Sequence, residues 1–151
     1  MRTMGETFDE LAVGMTFETG TAVVAEADVL RFAAEFDPQP FHLDPAAAAA
    51  SPFKGLAASG WHTAAIVMRL LVDARPFGRT PILGLGVDEL RWLMPVKPGD
   101  ELRVEGEILA LTPSASRPDR GTARVRMIAR NQRGEAVYSI VPTMILPRRA
   151  A

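Results

Sequence analysis

Cysteine is absent from this chain of 151 residues. Disulfide staples, thiolate nucleophiles and thiolate metal sites are therefore excluded. The absence fits a reducing compartment without proving one. Histidine is scarce: only His42 and His62 occur, so imidazole chemistry must run through one of two positions. Net charge is nearly absent, −1 at neutral pH, which argues against wholesale binding to nucleic acid or an anionic membrane. Long apolar runs are missing too. The longest, 64–72, is interrupted by Arg69 and falls far short of a membrane span. The N-terminal stretch Met1–Thr7 lacks the apolar segment of a signal peptide. No GxSxG and no HExxH occurs, which disfavours a serine hydrolase and a zinc-protease helix. The expectation is a cytoplasmic protein with no membrane and no nucleic-acid partner.

What is present is enough for a core. Apolar residues make up 48% of the chain and charged residues 23%, which argues against disorder. No internal repeat and no dividing linker stands out, so 1–151 reads as a single domain. Residues 16–24 alternate loosely and read as a short strand or hairpin. Residues 26–36 place Val29, Phe32, Ala33 and Phe36 on one helical face, with Asp28 favouring the helix dipole. Asp44 as N-cap and Pro45 at the first position start a short alanine-rich helix to Ala50. From Ser59 to Val72 the chain is apolar almost all round apart from Arg69. That pattern predicts a long buried helix. Leu102, Val104, Ile108 and Ala110 alternate with Arg103, Glu105 and Glu107, and Ala123, Val125, Met127 and Ala129 with arginines. Both read as half-exposed strands. Asn131–Glu135 signals a hairpin into a strand over 136–146. A further strand covers 82–94 and turns through 95–100 into the Leu102 strand. The expected fold is α+β: a central helix wrapped by a four-strand antiparallel meander.

The chemistry concentrates at Asp37-Pro38-Gln39-Pro40-Phe41-His42. Two prolines restrict the backbone, so the segment reads as a stiffened loop rather than a helical turn. Such a loop can hold a carboxylate and an imidazole over one water. Asp37 would accept its proton, and His42 would orient it and shuttle a proton. A plainer role also fits: Asp37 capping a turn and His42 donating to a backbone carbonyl. His62, one turn into the long helix, reads as a packed polar residue. Asp37, His42, Asp44 and His62 could offer metal ligands, but no familiar ligand spacing links them. At the helix entry, unpaired N–H groups beside Gly60 could meet an oxyanion. Ser59 could equally be a simple N-cap with glycine for close packing. Ser59 and Trp61 are the adjoining candidate substrate contacts. Gly84-Leu85-Gly86 lacks the context of a dinucleotide fingerprint. Arg124, Arg126 and Arg130 read as a solvated face, and 112–121 as a hairpin loop.

The run Phe36–Asp44, followed by Ser51-Pro52-Phe53 and Ala58-Ser59-Gly60-Trp61-His62, resembles the MaoC-like dehydratase family, which includes the (R)-specific enoyl-CoA hydratases. Pro95–Asp100 resembles a strand-turn of that family, and the similarity spans essentially the whole chain. The resemblance implies a hot-dog fold paired into a homodimer or a dimer-based oligomer. It implies Asp37 and His42 as the water-handling pair and the Gly60 N–H as the donor to a thioester oxygen. The implied substrate is an acyl-CoA, handled by a hydro-lyase of fatty acid metabolism with no cofactor. Two departures bear on the acyl chain: Gln39 stands where many hydratases have asparagine, and Met68 where some have a small hydroxyl residue. Two rivals remain, a hot-dog thioesterase and a non-catalytic acyl-CoA binding module. The thioesterase pattern places a carboxylate on the central helix, and here none precedes Asp73.

Overall fold

The computed structural model describes residues 3–149; the outermost positions of the expected 1–151 domain and of its N-terminal stretch lie outside the described residues. One antiparallel sheet wraps one face of a long helix. The sheet comprises β1 (Thr16–Glu18), β2 (Ala22–Val23), β3 (Leu83–Trp92), β4 (Glu101–Pro113), β5 (Arg120–Arg130) and β6 (Ala136–Pro147). Its order is β1-β4-β5-β6-β3, with β2 also paired to β4. The helices are α1 (Glu26–Phe36), α2 (Pro40–Leu43), α3 (Pro45–Ala49) and the central α4 (Gly60–Ala74). Among the described residues, no helix is long and apolar enough to cross a membrane.

The strand patterns dictate the sheet. In β4, Leu102, Val104 and Ile108 are fully buried, and in β5 so are Ala123, Val125 and Ala129. Their alternating neighbours face out and pair across strands, Arg126 with Glu107 at 2.6 Å and Arg130 with Glu105 at 3.1 Å. Such exposed pairs contribute about 0–1 kcal/mol each, so burial of the opposite face holds the sheet. The turn after β5 forms as its residues require. Asn131 Oδ1 accepts from the Arg133 and Glu135 N–H groups, and Gly134 takes a φ of 78°, a conformation that glycine reaches without strain.

Four expectations change. The 16–24 segment is not a hairpin: β1 and β2 both pair with β4. Residues 40–43 are helical, because Pro40 occupies the first helical position, where no N–H is needed. β3 is not the meander neighbour of β4 but pairs with β6 at the far edge. The connection from β3 crosses the end of the sheet: Leu93 N–H donates to Val137, Val96 accepts from Ala58, and Gly99 N–H donates to Val24. Finally, α4 buries only one face. His62, Thr63, Val67, Leu70, Leu71 and Ala74 pack inward, while Trp61, Met68 and Val72 stay 59%, 50% and 49% exposed. A single sheet covers only one side of a helix.

Candidate active site

Three segments converge at the start of α4. Asp37 is the C-cap of α1, its N–H donating to Ala33 at 2.9 Å. Gln39 precedes α2 as its N-cap, and α2 carries His42 inward to near-complete burial. Ser59 caps α4 by position. Its side chain does not cap. The Ser59 hydroxyl donates instead to Asp37 Oδ2 at 2.6 Å.

His42 Nδ1 lies 2.7 Å from the Ala57 carbonyl oxygen. A carbonyl only accepts, so Nδ1 carries the proton and Nε2 is the free ring atom. Nε2 lies 3.3 Å from Asp37 Oδ2. The plainer role for His42 and the pairing with Asp37 therefore coexist, one on each ring nitrogen. Asp37 Oδ1 accepts from Gln39 Nε2 at 2.6 Å. The Ser59 hydroxyl, and after it the Gln39 amide, hold the Asp37 carboxyl below its usual range against the opposing effect of burial. Asp37 is thus a carboxylate at neutral pH.

Both groups line a cleft of about 360 Å³ together with Phe53, Gly60, Trp61, Thr63 and Trp92, closed along one side by 93–96. Gly60 opens α4, where the N–H has no intrahelical acceptor. Ser59's carbonyl takes the His62 and Thr63 N–H groups at 2.9 and 3.1 Å. The Gly60 carbonyl accepts from Trp92 Nε1 at 2.8 Å. A Cβ at Gly60 would sit 2.5 Å from Trp92 Cε2, so this close approach requires glycine. Trp61 stands edge-on to Trp92, ring centroids 5.0 Å apart.

The five expected site residues thus gather, but not in the expected roles throughout. Asp37, His42, Gly60 and Trp61 line the cleft. Ser59 is 0% exposed and meets the Asp37 carboxylate, so it stands behind the site rather than in it. His62 turns away and stacks on Phe32, centroids 4.9 Å apart. Burial holds its imidazole below the usual value. Trp92 and the Ala57 carbonyl escape sequence reasoning, since both come from segments distant from their partners. A wider concavity of about 690 Å³ lies on the outer sheet face, lined by Glu105, Glu107 and Arg126 among others. Its Arg126 and Glu107 already pair with each other, and it holds none of the expected site residues.

A long helix set in one antiparallel sheet defines a hot-dog protein, and here an imidazole faces a carboxylate at the helix entry. Residues 8–131 match the family model described as MaoC like domain, and the chain belongs to that family. It is similar to the MaoC-like dehydratase from Rhodospirillum rubrum, 50% identical with a TM-score of 0.91 over 96% of this chain and 99% of that one. The unliganded R-hydratase PhaJ1 from Pseudomonas aeruginosa is 34% identical, with a TM-score of 0.74 over 95% of this chain and 87% of that one. By sequence, the uncharacterised Bacillus subtilis protein YdeM is 33% identical over 140 residues, 93% of this chain and 98% of YdeM.

Proposed function

We propose that this protein adds water reversibly across the double bond of a 2-enoyl-CoA thioester. The observation that carries the reading is the 3.3 Å approach of His42 Nε2 to Asp37 Oδ2 inside a cleft that also contains Gly60. Two acceptors at that separation suit a water about 2.8 Å from each. The likeness to an R-hydratase supports the same chemistry.

The mechanism follows from the electronics of the substrate. The thioester carbonyl draws charge from the β-carbon. Water oxygen bonds to that carbon as His42 Nε2 takes a water proton. The π electrons shift to the carbonyl oxygen, which becomes an enolate oxygen facing the Gly60 N–H. The enolate then collapses as the α-carbon takes the proton from His42, leaving the imidazole neutral again. Asp37 is a poor base for this purpose, because its neighbours hold it ionised at low pH. Its charge instead orients the water and steadies the transient imidazolium, a division of labour that improves on Asp37 as proton acceptor. One oxyanion donor contributes about 3–4 kcal/mol to such a step. No redox or electrophilic cofactor is needed, since the thioester carbonyl itself receives the electrons.

The proposal includes a homodimer. Trp61, Met68 and Val72 on α4 and Leu83, Leu85 and Val87 on the edge strand β3 are exposed. The two elements run side by side: Trp61 meets Trp92 at one end, and Val72 shares a groove with Ile82 at the other. Such a joined apolar face suits a second copy. The enzymatic reading is tested by loss of enoyl absorbance with crotonyl-CoA. Asp37→Asn keeps the fold and lowers turnover by roughly 10²–10⁴-fold. Full activity in that variant, or free thiol instead of 3-hydroxyacyl-CoA as product, refutes the reading.

A further inference from the structure

We infer that Ser59 is a positioning residue for the reaction: its hydroxyl fixes the Asp37 carboxylate in place and leaves the first N–H groups of α4 free for substrate. The inference rests on the reading of the cleft given above. Serine at an N-cap ordinarily turns its oxygen back to the second or third N–H of its helix. Here that bond is absent. The hydroxyl points to Asp37 Oδ2 at 2.6 Å, twenty-two positions earlier in the chain. The His62 and Thr63 N–H groups are satisfied by the Ser59 carbonyl instead. Gly60 and Trp61, whose N–H groups make no bond to the Ser59 side chain, both line the cleft.

The arrangement has a geometric consequence. Asp37 Oδ1 is engaged by Gln39 Nε2 at 2.6 Å and Oδ2 by Ser59. Two donors, one on each oxygen, stop the carboxylate from rotating about its terminal bond. Oδ2, the oxygen held by Ser59, is also the one 3.3 Å from His42 Nε2. Ser59 is wholly buried and Gln39 is exposed. The buried donor works where water cannot replace it, so it carries more of the orientation. Of the titratable groups, His42 on α2 is the one paired with Asp37, at 3.3 Å. Ser59 thereby links the carboxylate on α1 to the entry of α4, and a shift of either would misalign both halves of the reaction.

The test uses the full chain with Ser59→Ala, and with Ser59→Gly as a second variant, because glycine is tolerated at an N-cap. Two readouts are measured. The first is the ¹³C titration of the Asp37 carboxyl, which needs no turnover. Loss of the Ser59 donor moves its midpoint to higher pH in both variants, and Gln39→Ala moves it less. The second is hydration of crotonyl-CoA. The variants lose about 10- to 100-fold in kcat with KM within about threefold, and the acid limb of the pH profile rises with the carboxyl midpoint. An unmoved Asp37 midpoint in a folded Ser59 variant overturns the inference. So does wild-type kcat with an unshifted acid limb. If the wild type hydrates no enoyl-CoA, the enzymatic reading fails by itself, and the carboxyl titration still decides whether Ser59 sets the state of Asp37.

Discussion

Alanine at Gly60 exposes how tightly the helix entry is built. Its Cβ would lie 2.5 Å from Trp92 Cε2 and 2.6 Å from Nε1, well inside contact distance. That same ring donates to the Gly60 carbonyl, so it cannot swing aside without losing the bond. Overpacking of this kind costs about 1–3 kcal/mol. Against it stands a gain of up to about 1 kcal/mol, because alanine is a better helix former than glycine. The cost therefore belongs to the pair of residues and not to the backbone at 60, where φ is not in the left-handed region. Removing the ring should reverse the sign. In a Trp92→Ala background, Gly60→Ala is expected to be neutral or stabilising, while in the wild type it is neutral to destabilising. The coupling across the four proteins is about 1–3 kcal/mol, above the few tenths at which independent sites depart from additivity. Urea unfolding followed by far-ultraviolet circular dichroism measures it, as a midpoint displacement of roughly 0.5–1.5 M at a slope of about 2 kcal/mol/M. Equal effects of Gly60→Ala in the two backgrounds would refute the clash and the need for glycine at this position.

Two further outcomes follow from other parts of the chain. Burial, opposed by Asp28 and reinforced by Arg31, holds the His62 imidazole below its usual value. The unfolded chain then binds the extra proton first, so stability is full above about pH 6.5 and falls as pH drops through the folded value. Unfolding midpoints at pH 7.5 and 5.5 should separate in the wild type and separate less in His62→Leu; an undiminished pH effect in the variant would exclude His62 as its source. Met68→Lys together with Val87→Glu places charges on the exposed faces of α4 and β3 and is expected to shift the mass measured by light scattering from dimer to monomer. A wild type that is monomeric at micromolar concentration would remove the second copy from the proposal.

Much of the fold is legible because each half of the chain obeys one period. Val29 and Ala33 lie four apart and are both buried in α1, whereas Phe36, read as part of that face, is 67% exposed and rests on Phe32. Leu102 to Ile108 alternate because one side of the sheet is dry. Long-range order is less visible. Nothing local in β3 says that it pairs with β6, since the connection through Pro95 and Pro98 is stiff but not a tight turn. α4 looks buried all round because the residues that would meet a partner are as apolar as those that meet the sheet. Within the site, the Asp37 and His42 pairing is readable as a spacing, but the ring nitrogen involved depends on Ala57, and the state of Asp37 on Ser59 and Gln39. Ser59 misleads for a specific reason: capping and donation to a remote carboxylate use the same hydroxyl, and sequence shows only the nearer option.

The chain has just two tryptophans, and both stand at the same cleft, edge to face. Intrinsic fluorescence from this protein is therefore almost wholly a signal from one place. A thioester bound as proposed would change the surroundings of both indoles, so emission should register occupancy without a label. Titrating Asp37→Asn with an enoyl-CoA would then give an affinity before slowed turnover consumes the double bond.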